Sequence, residues 1–231
     1  MVENAEKPKL LTVQILLPES VDRKLEDRAE ELPGASWPEW GGHITLIPQF
    51  LPLVPEDEIV AIIEAVCAEE PPIVVEFGEP VAKQDLTRRE YTIVMLSVAE
   101  VNEEAEHSPE VAGENGTGEA HAEISLTSRD ADCKRLCDLR MRLLDALQGV
   151  REDLYPQVVA KPYRPHVTLA FALGENEAQQ VVRALRAEPI EGEFVVEVLW
   201  LIQHGDGNPS DYTRREIRLG RPVEQRAVQG D

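Results

Sequence analysis

The chain has 231 residues, 42% of them hydrophobic, with 14 Gly and 17 Pro. That is an ordinary globular composition, long enough for one sizeable core or two small lobes. Its formal net charge of −21, from 44 acidic and 23 basic residues, repels polyanions, so no membrane partner and no broad nucleic-acid binding are expected.

A small anionic substrate stays compatible with this charge where a local basic pocket overrides the global field. Cys67, Cys133 and Cys137 are too few for a disulfide framework. Cys133 and Cys137 are four apart on one helix face but have no second pair at zinc-site spacing, so packing is their expected role and no metal is expected.

Taken in chain order, "LLTVQILL" from residue 10 reads as a first strand. Thr12 and Gln14 break the apolar run and no small-residue cleavage site follows, which argues against a signal peptide. No run approaches the ~18 apolar residues of a membrane span, and a cytoplasmic location is the expectation. Residues 19–32, "ESVDRKLEDRAEEL", form a charged amphipathic helix stopped by Pro33 and Gly34. The loop "GASWPEWGG" leads into "HITLIPQF", a strand. A second helix starts at Pro55 with Glu56 and Asp57 and stops at Pro71 and Pro72. "IVVEFGEPV" and "YTIVMLSV" are β-rich runs.

Residues 102–130 hold eight acidic and one basic residue around a Gly-rich centre, and read as a mobile insertion. His107 and His121 inside it have no metal-binding spacing and are read as solvated. "DADCKRLCDLRMRLLDALQGV" is a helix with Asp130 or Asp132 as cap and Gly149 as stop. "LYPQVVAKPYRP" delivers the strand "HVTLAF". The helix "GENEAQQVVRALRAEP" follows, then the strands "EFVVEVLWLIQ" and "YTRREIRLG" around a polar turn, and a frayed tail from 221.

The chain repeats itself. "HITL" at 43 recurs as "HVTL" 123 residues later, and "TRRE" at 87 recurs at an offset of 126. After each His-x-Thr strand comes an acidic-started helix, then Pro, then a β run ("VVEF", "FVVEV"). The expected architecture is a single bilobal α+β domain. It has two lobes related by a pseudo-two-fold axis, mainly antiparallel sheet with outer helices, around a central groove. Lobe one is about 10–100, the insertion about 102–130, lobe two about 131–220 and the tail 221–231.

Side chains alternate along a strand, so His43 and Thr45 share one face, as do His166 and Thr168, while Ile44, Leu46, Val167 and Leu169 take the other. A two-fold arrangement brings all four polar groups to one cleft. Imidazole titrates near neutrality, and two of them on opposite sides of a bond act as general base and general acid. Threonine hydroxyls hold developing negative charge on oxygen. A phosphodiester fits, and such a site needs no metal and no cofactor.

These paired motifs, "HITL" and "HVTL", resemble those of the 2H phosphoesterase superfamily, which includes 2′-5′ RNA ligase-like proteins and cyclic phosphodiesterases. The resemblance spans most of the chain outside the insertion and tail. It implies a bilobal α+β fold with both motifs lining a groove, His43 and His166 as catalytic residues, and Thr45 and Thr168 as phosphate-holding hydroxyls. It also implies metal-independent hydrolysis of a 2′,3′-cyclic nucleotide or a related 2′-linked phosphoester.

Phe171 stands where many ligase-like members carry a basic residue, and together with the insertion and the strong acidity this favours a small cyclic nucleotide or short oligonucleotide as partner. A monomer is the expected form. A nucleotide- or RNA-end-binding module without turnover is one alternative, and a 2′-5′ RNA ligase a more remote one. Neighbouring residues carry weaker expectations. Tyr163 and Arg164 precede the second motif, and Arg164 either brings positive charge to a phosphate or pairs with a surface acid. Trp37 and Trp40 either stack on a base or plug the edge of the lobe. Arg88, Arg89, Arg214 and Arg215 of the repeated "TRRE" form either a basic rim or cross-strand pairs.

Overall fold

Ile44, Leu46, Val167 and Leu169 are fully buried, at about 1.5–3 kcal/mol each. That burial locks the register of both motif strands, because a one-residue slip would turn these side chains to the cleft and the histidines to the core. The computed structural model describes residues 9–32, 37–38, 41–85, 91–100, 133–204 and 212–220.

The first half of the chain runs β1 (Leu10–Leu16), α1 (Glu19–Glu30), β2 (His43–Pro52), α2 (Glu56–Ala68), β3 (Ile73–Gln84) and β4 (Thr92–Glu100). The second half runs α3 (Lys134–Ala146), β5 (Arg151–Asp153), α4 (Pro156–Val159), β6 (His166–Leu173), α5 (Glu175–Ala187), β7 (Glu193–Val196), β8 (Val198–His204) and β9 (Thr213–Arg218). The strands make two sheets, ordered β5-β2-β1-β8-β9 and β6-β4-β3-β7, and every pairing is antiparallel. The fold is the expected α+β class. Helices α2 and α3 pack on each other, α2 meets β9 and α3 meets β2, while α5 covers β3 and β4 and α1 reaches β6. No helix among the described residues is long and apolar enough to cross a membrane.

The sheets do not divide the chain near residue 100. Each takes strands from both halves: β8 inserts beside β1, and β3 sits beside β7. The sequence "EFVVEVLWLIQ" reads as one strand but is two, β7 in one sheet and β8 in the other. Buried positions step from Phe194 and Val196 to Leu199 and Leu201, a phase slip at Glu197 where the chain passes between sheets. The second "TRRE" lies in edge strand β9, whereas the first lies outside the described residues and precedes an inner strand, β4. The expected insertion, His107, His121, the proposed caps Asp130 and Asp132, and the tail also lie outside the described residues.

Candidate active site

Strands β2 and β6 are neighbours across the two sheets, and His43 and His166 are close enough for the charge of one to act on the other. His43 stands opposite Leu16 and Thr45 opposite Gln14 on β1. His166 stands opposite Ser97 and Thr168 opposite Met95 on β4. The histidines are held by the same device. His43 Nδ1–H donates to the carbonyl of Gly41 at 3.2 Å, and His166 Nδ1–H donates to the carbonyl of Arg164 at 2.8 Å. In both, the acceptor is two residues upstream. Each bond places the proton of the neutral ring on Nδ1.

The approach to each motif differs. Gly41 adopts φ +89, and an ideal Cβ there would come within 3.0 Å of Asp22 Oδ2, so a side chain meets both backbone strain and a wall. Asp22 of α1 accepts a hydrogen bond from Gly42 N, which sets the carbonyl of Gly41 toward His43. A Cβ at Gly42 would lie 2.6 Å from Trp37 and from Leu17. Trp37 therefore packs down on the glycine pair and against the core, the plugging alternative. Its Nε1 is buried without a partner among the described residues. Trp40, Arg88 and Arg89 lie outside the described residues.

Tyr163 ties the two motifs together. Its hydroxyl donates to the carbonyl of Thr45 at 3.0 Å, and burial raises its pKa far above the ordinary phenol value. Its ring carries the Arg140 guanidinium at 4.7 Å. Tyr163 thus acts in positioning the first motif from the approach to the second. Arg164 is exposed and makes no ion pair among the described residues. Arg215 of β9 pairs with Asp57 of helix α2 at 2.7 Å, which is not a cross-strand pair.

Electrostatics distinguish the two histidines. Burial pushes His43 below the ordinary histidine value of 6.5; the Gly41 carbonyl pulls it back, His166 and His204 press it down, and Asp22 raises it. Burial also lowers His166, opposed by the Arg164 carbonyl and reinforced by Lys83. Lys83 follows Val81 on the face of the sheet that carries Met95 and Thr168, and its own pKa is lowered by burial, then by Arg164 and Lys161. Lys83, Arg164 and Lys161 make a basic corner beside His166 in a chain of charge −21. Asp22, Lys83, Gln14 and His204 went unread in the sequence, since none sits near a motif and only strand register brings three of them to the site.

A stability consequence follows. Burial lowers His43, His166 and His204 from 6.5, so below that value the unfolded chain binds protons the folded chain refuses. The contribution of these neutral rings is complete above pH 6.5 and is lost as pH falls through it. Melting temperature measured from pH 7.5 to 5.5 is expected to fall, and to fall less in a His43→Gln/His166→Gln protein.

The model of the 2′-5′ RNA ligase superfamily matches residues 115–208. Over those residues, less than half of its length, the chain is similar to the 2′-5′ RNA ligase superfamily. The matched residues contain the second motif, with His166 and Thr168, and not the first. The crystal structure of TT0787 of Thermus thermophilus has the same fold, with a TM-score of 0.52 and 16% identity over 91% of this chain and 98% of that one. No curated protein matches the sequence.

Proposed function

We propose that this protein is a phosphodiesterase that hydrolyses a 2′,3′-cyclic nucleotide, or a related 2′-linked phosphoester, by acid–base catalysis between His43 and His166. The observation that carries the reading is the matched pair of imidazoles. Both are turned by a carbonyl two residues upstream, on strands that are neighbours across the two sheets, and His166 acts on the charge of His43. Thr45 and Thr168, each two residues on, supply hydroxyls to the non-bridging phosphate oxygens. The basic corner of Lys83, Arg164 and Lys161 draws the anion past a repulsive surface.

In this reading the neighbouring charges divide the roles. A general base has to be neutral and a general acid protonated at the working pH. Burial lowers both rings; Lys83 adds to that at His166, whereas Asp22 opposes it at His43, where His166 and His204 also lower the pKa. His166 Nε2 takes a proton from water, and the water oxygen attacks phosphorus. The bond to the 2′ or 3′ oxygen breaks, and that oxygen receives the proton from His43 Nε2. The product is a nucleoside monophosphate, and solvent resets both histidines.

The test is incubation with the four 2′,3′-cyclic nucleoside monophosphates in EDTA, with products resolved by chromatography. A monophosphate formed only when both histidines are intact supports the reading. No product from any of the four turns the test to 2′-5′-linked oligonucleotides, and no product from those either overturns hydrolysis in favour of a nucleotide-binding module.

The role assignment has its own test in the pH profile of kcat/KM, expected to be bell-shaped. Asp22→Asn keeps an acceptor for Gly42 N but removes the negative charge, so the acid's pKa falls and the basic limb moves to lower pH. Lys83→Met removes a positive charge facing the base, so the base's pKa rises and the acidic limb moves to higher pH. Shifts on the opposite limbs would reverse the roles.

A further inference from the structure

The face of the five-stranded sheet that carries His43 and Thr45 continues into a cavity of about 250 Å³ lined by Thr12, Gln14, Thr45, Pro48, Gln49, His204 and Tyr212. Its floor follows from strand register. Gln14 lies directly across from Thr45, Thr12 is two residues before it on the same face, and His204 closes the far end opposite Leu10. Thr12 donates its hydroxyl to the carbonyl of Ile47 at 2.8 Å, so its oxygen keeps acceptor capacity. The His204 and Tyr212 rings meet edge to face at 5.0 Å and form an aromatic end wall.

Two lining atoms have no hydrogen-bond partner among the described residues although both are buried: Gln14 Oε1 and His204 Nε2. Gln14 is only 5% exposed. An orphaned buried amide oxygen costs about 1–3 kcal/mol, and a leucine of similar size would avoid that cost. Such a group on a central strand, one rung from a phosphate-holding threonine, is unexplained by packing and explained by a ligand.

We infer that this cavity is a nucleobase subsite, in which Gln14 and His204 bind the polar edge of a base whose phosphate lies at the two histidines. The inference rests on the proposed reading of the site as one for a nucleotide phosphoester. The base it fits is one with an amino group beside a ring nitrogen, adenine or cytosine. The amine donates to Oε1, and the glutamine NH₂ donates to the ring nitrogen, the pattern by which a glutamine amide reads adenine. Pro48 and the aromatic wall give the ring its apolar contacts. Thr45 joins the subsites, its hydroxyl toward the phosphate and its neighbour Gln14 toward the base.

The experiment compares base preference in the wild type with that in Gln14→Leu and His204→Phe. The readout is the ratio of kcat/KM for the adenosine or cytidine 2′,3′-cyclic phosphate to that for the uridine compound, which cancels any loss of folded protein. The wild-type ratio is expected to be about 10-fold or more, in the range for one polar contact in a closed site. Gln14→Leu is expected to bring it close to one while holding or raising the melting temperature, because it removes an orphaned polar group.

The same comparison is made in binding, with adenosine and uridine 3′-monophosphates by calorimetry. Turnover with no base preference, or a preference that neither variant alters, overturns the subsite while hydrolysis stands. A preference in binding that Gln14→Leu removes, with no turnover of any cyclic phosphate, supports the subsite while hydrolysis falls. Neither turnover nor binding overturns both.

Discussion

His43→Ala and His166→Ala are each expected to lower kcat/KM by ~10²–10⁴-fold, the usual worth of a positioned acid or base. The double variant is expected to fall little further than the worse single one, because an acid and a base that serve one transition state act as a unit. Each variant should also lose one limb of the bell-shaped pH profile: the acidic limb without the base, the basic limb without the acid. The competing explanation is that each histidine is an ordinary strand residue satisfied by a nearby carbonyl. That explanation predicts no change in rate, since removing either ring leaves the buried Ile44, Leu46, Val167 and Leu169 in place. Melting temperature is the control. Both rings are half-buried and depressed in pKa, so their loss at neutral pH should cost little stability, and a loss of rate with an unshifted melt assigns the effect to chemistry. Steady-state kinetics on a cyclic nucleotide from pH 5 to 9, beside a thermal melt of each variant, reads all of these quantities.

Much of this was legible in the sequence because alternation is a strict rule. A strand with His and Thr at one parity and large apolar residues at the other has only one buried face, and seeing it twice revealed both motif strands and singled out four candidate residues. The helices were equally plain from their acidic starts and proline stops. What stayed hidden depends on how strands are assembled. Nothing local in "TVQIL" marks Gln14 as the neighbour of Thr45; the pairing of β1 with β2 does. Lys83 belongs to the first half of the chain yet influences His166 in the second, because β3 and β4 are shared into the sheet of β6. Asp22 looked like one more charge on an amphipathic helix and proves to hold the glycine turn ahead of His43. Strand β5 and helix α4, three and four residues long, are too short for periodicity to reveal. Nothing local in "PYRP" marks the bond from the Tyr163 hydroxyl to the carbonyl of Thr45.

Arg140→Met is expected to destabilise the protein by about 3 kcal/mol and to reduce activity without touching a reacting group. Arg140 is 3% exposed, and burial lowers its pKa, yet no carboxylate pairs with it among the described residues. Its Nε donates to the carbonyl of Leu46 at 3.0 Å and its Nη2 to the carbonyl of Val159 at 3.2 Å, while its plane lies over Tyr163. Leu46 directly follows Thr45, and Tyr163 bonds to Thr45 itself, so one buried cation from α3 clamps the first motif strand and the approach to the second. Hydrogen bonds to a charged donor contribute about 1.5–3 kcal/mol each, and methionine leaves both carbonyls unsatisfied while filling part of the volume. In a chain of this size that loss lowers the melting temperature by roughly 6–12 °C. Arg140→Lys should recover little of it, because an ammonium cannot serve two carbonyls through a planar fork while stacking on a ring. Tyr163→Phe, which removes only the bond to Thr45, separates the two effects. Its expected cost is about 1 kcal/mol in stability, with a larger proportional fall in kcat than in the melt. If Tyr163→Phe leaves kcat untouched, the clamp stabilises the fold without positioning the phosphate-holding threonine.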